Sequence, residues 1–256
     1  MNIFVCVKHV PDTAARIDVK ARCRIDENIT FIMNPYDENA LEEAVRLKKV
    51  TPEATVIAVT VGGAAAQETL RAALAMGADE AVLLETRSPL DSIQTAGALA
   101  EAIRRRGPAD IVFTGKAAID SEGFQTMFRL AAHLGLPAAS NVVSFGLDQE
   151  RAVVTCEMEA GDREVLEMPL PCVIGAAKSL NQPSYPTLPA ILKARKKEIH
   201  TTVLEALDLP AAAGHVACLD MTPVVDARTP VELKGTFEEI AMEIIHLLRR
   251  EAKVLP

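Results

Sequence analysis

The residues best suited to chemistry fall in three stretches, each at the end of a short β-branched run. The longest is Thr114-Gly115-Lys116-Ala117-Ala118-Ile119-Asp120-Ser121-Glu122-Gly123-Phe124-Gln125-Thr126. It joins a strand to a helix, and open α/β sheets bind ligands in the crevice beyond the carboxyl ends of their strands. Gly115 allows backbone to approach a ligand closely. Gln125 and Thr126 set side-chain donors beside the free N–H groups that open a helix, where a phosphate is held. The second stretch, Asn34-Pro35-Tyr36-Asp37, opens the first long helix, and the third, Val61-Gly62-Gly63, ends a strand. Cys6 stands near the end of another strand, where a small apolar thiol faces either the core or a ligand. Loops of this kind on one side of a sheet can together make an adenosine pocket. Each stretch also has a plainer use: an ordinary βα loop, a helix cap at Asp37, a tight turn at Gly62-Gly63. Spacing alone does not choose between them.

Other chemistries find little support. The histidines His9, His133, His200, His215 and His246 are scattered without metal-ligand spacing, and GxSxG, HExxH and GxxxxGK[ST] are all missing from the sequence. Neither an acid–base catalytic set nor a metal site is expected. Cys6, Cys23, Cys156, Cys172 and Cys218 form no CxxC pair and are odd in number, so reduced thiols are expected rather than a disulfide framework. A net charge of −8, no Trp and only 4% aromatic residues disfavour nucleic acid as a partner. No apolar run approaches the roughly 20 residues of a membrane helix. The N-terminus reads as a strand and not as a signal peptide, so the expected location is cytoplasmic.

The elements that must position these residues alternate over the first ~145 positions in the manner of a mostly parallel α/β sheet. Strands are expected at Ile3–Val7, Thr55–Val61, Ala81–Leu84 and Ile111–Thr114, with an irregular or hairpin segment around Ile17–Ile32. Helices are expected from Asp37 or Glu38 to Lys49, over Ala66–Met76 with Gly77 as its stop, over Asp91–Arg106, and from Gln125 to Leu134, ending at Gly135. Beyond Pro137 the pattern changes to a meander of Asn141–Phe145, Val153–Met158 and Glu164–Glu167. Its turns fall at Asp148-Gln149-Glu150 and Ala160-Gly161-Asp162. Pro169–Pro189 is too rich in proline for a helix and reads as an exposed arm ending in Lys193, Arg195, Lys196 and Lys197. After weak periodicity over Thr201–Leu233, a final helix is capped by Thr236 with Glu239. It carries Phe237, Ile240, Ala241, Ile244 and Leu248 on one face and needs a surface to cover.

Taken in order, several fragments resemble the β subunits of electron transfer flavoproteins over nearly the whole chain. They are Cys6-Val7-Lys8 with Val10-Pro11-Asp12-Thr13, Met33-Asn34-Pro35-Tyr36-Asp37, Leu41 to Lys48, and Ala73 to Asp79. The rest are Gly115-Lys116 to Ile119-Asp120 with Gln125-Thr126, and Leu180-Asn181 to Tyr185-Pro186-Thr187-Leu188-Pro189. The resemblance implies an α/β nucleotide-binding domain over residues 1–190, with residues 191–256 forming a C-terminal arm and helix that pack on an α subunit. It implies an FAD shared with that subunit, and electrons taken from flavin-dependent dehydrogenases of the acyl-CoA type, as in fatty acid oxidation, and passed to a downstream acceptor. It also implies a buried AMP held by Cys6, Asn34, Pro35, Tyr36, Asp37, Val61, Gly115, Lys116, Ala118, Asp120, Gly123, Gln125 and Thr126. Leu188 falls on the family's dehydrogenase-docking leucine. The loop departs from the common pattern at Ala117, Ser121-Glu122 and Met127, and the meander does so at Cys156 and Ala160. One branch of the family bifurcates electrons from NADH with a second FAD in place of AMP, and Val10-Pro11-Asp12-Thr13 resembles it, whereas Gln125-Thr126 resembles the AMP type. An adenine-nucleotide hydrolase would need a Gly-rich loop after the first strand, where Lys8-His9-Val10-Pro11 stands instead, and a stand-alone nucleotide-sensor module would need neither the stiff arm nor a terminal helix seeking a surface.

Overall fold

Short β-branched runs and amphipathic segments alternate through most of the chain, and the computed structural model shows how they stack. It describes residues 1–148, 151–207, 216–223, 231–251 and 253–254. Gln149 and Glu150 of the expected turn, His215, and parts of the Thr201–Leu233 stretch lie outside the described residues.

In chain order the elements begin with β1 (Asn2–Cys6), β2 (His9–Pro11), β3 (Val19–Ala21), β4 (Arg24–Ile25), β5 (Phe31–Met33) and α1 (Pro35–Val50). Next come β6 (Thr55–Gly62), α2 (Gln67–Met76), β7 (Glu80–Glu85), α3 (Ser92–Arg106), β8 (Ile111–Gly115) and α4 (Thr126–Leu134). The chain continues through β9 (Ala138–Asp148), β10 (Arg151–Glu157), β11 (Arg163–Pro169), β12 (Cys172–Ala176), α5 (Leu188–Lys196), β13 (His200–Val203) and α6 (Phe237–Arg250). Two compact units result, Met1–Asp220 and Met221–Pro256.

The first unit is built on one sheet ordered β11-β10-β9-β12-β8-β1-β6-β7-β13. From β9 to β13 the neighbours run parallel, and only β10 and β11 are antiparallel. The central parallel strands β12, β8, β1, β6 and β7 are near-continuous apolar runs because both faces are covered. Ile3, Val5, Val56, Ala58, Ile111 and Phe113 face α1 and α2. Phe4, Cys6, Ile57, Val59 and Val112 face α3 and α4. Helix ends follow local chemistry. Asp91 caps α3 in a reciprocal capping box with Gln94. Gly135 closes α4 at φ +70, a left-handed position that costs a residue without Cβ nothing.

Two expectations are corrected. The proline-rich segment is not an exposed arm throughout: Cys172–Ala176 is a fully buried strand in the middle of the sheet, paired to β8 and β9. The prolines bracket this strand without entering it, so its backbone ladder is intact. The basic cluster does not end an arm either. It forms the last turn of α5, which starts where Thr187 caps the helix and Pro189 occupies its first turn. There Lys197 turns inward, and its Nζ donates to the Ala78 carbonyl at 2.7 Å. The edge strand β13, which pairs with β7, is an addition that the weak periodicity hid.

The second unit contains α6, capped by the Thr236–Glu239 box as expected. None of the residues of α6 is buried, and Phe237 is 93% exposed.

Candidate functional site

The chain leaves β1 for β6 and β7 on one side and returns to β8 on the other, so the strand order reverses between β1 and β8. At such a reversal the following connections diverge to opposite faces and open a crevice at the carboxyl ends. Cys6 ends β1 and Gly115 ends β8, which puts both expected residues at this point.

Asp37 bridges the crevice. Its Oδ2 accepts from the Lys8 amide at 2.8 Å and its Oδ1 from the Gly115 amide at 2.9 Å. This corrects the reading of Asp37 as a helix cap: the N-cap of α1 is Asn34, and Asp37 sits in the first turn with both oxygens committed to other segments. Asp37 as a whole is only 5% exposed. Burial raises its pKa to about 7, opposed by hydrogen bonds from Asn34, Lys8 and Gly115 and by the Lys8 charge. Beside it, burial and the nearby Asp37 charge hold the Cys6 thiol protonated, far above the ordinary cysteine range.

Asn34 does the matching work on the loop after β8. Its Nδ2 donates to the Ala117 carbonyl at 2.8 Å, and its Oδ1 accepts from the Ile119 amide at 3.1 Å. Gly115 is glycine because nothing larger fits. A Cβ there would collide with the Asp37 carboxylate and lie 2.6 Å from the Tyr36 Cβ. The stretches Asn34–Asp37 and Gly115–Ile119, far apart in sequence, are thereby one structure. Pro35 contributes by opening α1 in its first turn, where a missing N–H costs nothing.

Cations frame the loop. Lys8 Nζ meets Asp120 at 2.7 Å, and Lys116 Nζ donates to Asn141 Oδ1 at 2.9 Å while lying 5.5 Å from the centre of the Tyr36 ring. Ala118 closes the next turn by accepting from Glu122 N at 2.8 Å. Glu122 and Phe124 both adopt positive φ, and the segment from Asp120 to Gln125 is exposed. Gln125 is the N-cap of α4 but its side chain does not cap, so the first amides of α4 have no side-chain acceptor from it. Thr126 follows, half-buried. Among the described residues, two buried side-chain hydroxyls, Thr60 Oγ1 and Thr114 Oγ1, have no hydrogen-bond partner. Thr114 lies immediately before Gly115. Strand alternation turns it to the α3–α4 side of the sheet, the side that also buries Cys6 and packs Val61.

Not every expected residue joins this cluster. Val61 belongs to β6, on the far side of β1, and shares only the face. A Cβ on Gly123 would meet nothing within 4 Å. Leu188 is 68% exposed at the start of α5. Sequence reasoning left Lys8, Thr114 and Asn141 out of the expected nucleotide contacts, although it set Thr114 at the head of the loop stretch. The first two adjoin strand ends and were reachable on that ground. Asn141 was not, because its positive φ of 56° is hidden inside a β-rich run. Among the described residues no group of three or more His, Cys, Asp or Glu is placed to hold a metal ion.

Residues 23–207 match the electron transfer flavoprotein domain family. The chain is 34% identical over 259 residues to the electron transfer flavoprotein subunit beta of Bacillus subtilis, a match spanning 100% of both chains. It therefore belongs to the electron transfer flavoprotein β-subunit family. A mitochondrial electron transfer flavoprotein subunit beta of Arabidopsis thaliana is 36% identical, again over 100% of both chains. The caffeyl-CoA reductase-Etf complex subunit CarD of Acetobacterium woodii is 38% identical over 218 residues, 84% of this chain and 83% of that one. Membership in the β-subunit family assigns the chain an electron-transfer role and an α subunit as its partner. Among the described residues no helix is long and apolar enough to cross a membrane.

Proposed function

We propose that this β subunit shares an FAD with its α subunit and holds AMP as a structural nucleotide in the β1–β8 crevice, within a cytoplasmic carrier that takes electrons from flavin-dependent dehydrogenases of the acyl-CoA type and delivers them to a downstream acceptor. The observation that carries the nucleotide reading is the joint built by Asp37 and Asn34. It fixes the backbone of residues 115–119 over the crevice, while the start of α4 carries no cap from the Gln125 side chain and, among the described residues, the buried Thr114 hydroxyl has no hydrogen-bond partner. An adenosine phosphate fits that donor set. Cys6, Asn34–Asp37, Val61, Thr114 and the segment from Gly115 to Thr126 would hold it, with the Lys116 and Lys8 cations nearby. FAD supplies the redox chemistry when bound. This chain's own residues supply enclosure and anion binding, and its protonated thiol and buried carboxyl are set for packing rather than proton transfer.

A second reading is favoured by the likeness to CarD, whose own name places it in a reductase–Etf complex: an electron-bifurcating subunit with a second FAD in place of AMP and NADH as donor. Nucleotide content separates the two. The subunit pair, denatured and analysed by liquid chromatography and mass spectrometry, should release FAD and AMP in equal amounts. Release of FAD at twice that level without AMP would replace the first reading with the second. Substituting Thr126 by Ala should lower AMP retention if the start of α4 holds the phosphate.

Leu188 is the proposed dehydrogenase contact. It stands on a capped helix whose first turn contains Pro189, so little ordering entropy opposes docking. Leu188→Ala should keep its nucleotides and its rate of reduction by dithionite, yet lose on the order of 1–3 kcal/mol of docking free energy to the dehydrogenase. Unchanged stopped-flow reduction by the dehydrogenase across concentrations would remove Leu188 from the docking surface.

A further inference from the structure

Three of the five cysteines are buried, and the remaining two, distant in sequence, meet at the surface. Cys23 lies in the two-residue connection Arg22-Cys23 between β3 and β4. Cys218 lies in the described stretch 216–223, and both belong to the Met1–Asp220 unit. Cys23 Sγ donates to the Cys218 carbonyl at 3.0 Å, which sets the two cysteines side by side. Cys218 Sγ donates to the Asp220 carbonyl at 3.7 Å. Neither residue contributes to the crevice, and no packing demand explains a half-buried thiol beside an exposed one.

We propose that Cys23 and Cys218 are a reversible thiol–disulfide pair, oxidised by hydrogen peroxide, that ties the segment leading toward α6 to the β3–β4 hairpin. The reaction balances in two steps. The exposed Cys218 thiol attacks peroxide, forming a sulfenic acid and releasing water. The Cys23 sulfur then displaces the sulfenic oxygen as a second water, and the S–S bond forms with the loss of one proton from each thiol. Peroxide is the oxidant, and each sulfur gives up one electron.

The division of labour follows from the contacts. Cys23 is pushed up in pKa chiefly by its hydrogen bond to Cys218, next by desolvation, with Arg22 acting in the opposite direction. A thiol held as a donor is a poor first nucleophile but a well-placed resolving one. Cys6, Cys156 and Cys172 are buried and their thiols are raised by desolvation, so they stay out of the reaction.

The test uses the full chain, isolated with its α subunit and treated with a small excess of hydrogen peroxide before alkylation and peptide mapping. A Cys23–Cys218 peptide within one chain, reversed by dithiothreitol, is expected in most molecules. Cys23→Ser should stop at a Cys218 sulfenic acid that dimedone traps. Cys218→Ser should leave Cys23 alkylatable at the same peroxide level. These outcomes do not depend on which nucleotide the crevice holds. The proposal is overturned if both thiols of the wild type still alkylate, if the cross-link joins two chains, or if Cys218 proceeds to sulfinic acid while Cys23 stays free.

Discussion

Helices α1 and α6 are of similar length and were equally legible, yet they are held by opposite means. The α6 helix has a complete capping box and no buried residue. The α1 helix has no side-chain cap and buries Asp37, Asn39 and Glu42 along with its apolar stripe. Those polar side chains serve other segments. Asn34 and Asp37 hold the loop after β8, Asn39 Nδ2 donates to the Asn181 carbonyl at 2.8 Å, and Glu42 accepts from Ser184 N at 3.0 Å. A helix stabilised by its own ends is free to present a face to another chain. When a helix start spends its capping residues elsewhere, the destination is worth examining as a site.

The largest effect should come from the α1 side. Asp37→Ala strands the amides of Lys8 and Gly115, at about 1–3 kcal/mol each, so a loss on the order of 3 kcal/mol is expected in denaturant unfolding. A loss below about 1 kcal/mol would show that water replaces the carboxylate and that the bridge is not structural. The same carboxyl predicts a pH dependence. Its folded pKa of about 7 exceeds the ordinary 3.8, so the folded chain binds more protons between those values, and stability should fall as pH rises through that window. Asp37→Asn should flatten this slope. A slope of the opposite sign would mean that the two amides and Lys8 outweigh burial.

On the α6 side the prediction concerns association. Ile240→Asp should leave unfolding of the Met1–Asp220 unit unchanged and weaken pairing with the α subunit by about 2 kcal/mol, the worth of one buried aliphatic side chain. Equal affinity by calorimetry would mean that α6 covers no partner. The smallest effect belongs to the cap. Thr236→Ala should cost about 1 kcal/mol of helix stability and appear as weaker α-subunit binding with no change in the first unit.

Much of this architecture was legible because the parallel strands are apolar on both faces and their helices carry ordinary stop signals. The meeting of Asn34–Asp37 with the start of the loop after β8, Gly115–Ile119, also followed from strand ends sharing one side of a sheet. Other features were hidden for physical reasons. The run Cys172-Val173-Ile174-Gly175-Ala176 reads as a buried strand once its flanking prolines are taken as its limits, but their density points to an arm. An aspartate ahead of a periodic run suits a cap, and partners as remote as Lys8 and Gly115 leave no local mark on it. The short edge strand β13 has only its pairing to β7 to define it.

The place of β12 also bears on the order in which the protein is made. The loop after β8 is encoded ahead of the meander, yet Lys116 N donates to the Ala176 carbonyl at 3.0 Å and β8 completes its outer ladder on β12. During synthesis β8 emerges with one edge unpaired and cannot finish until residues 172–176 leave the ribosome and thread between it and β9. The crevice between β1 and β8 is therefore completed late, after most of the chain has been translated. Until then the half-built sheet offers an open apolar edge of the kind that chaperones occupy and that nascent chains of other copies can capture.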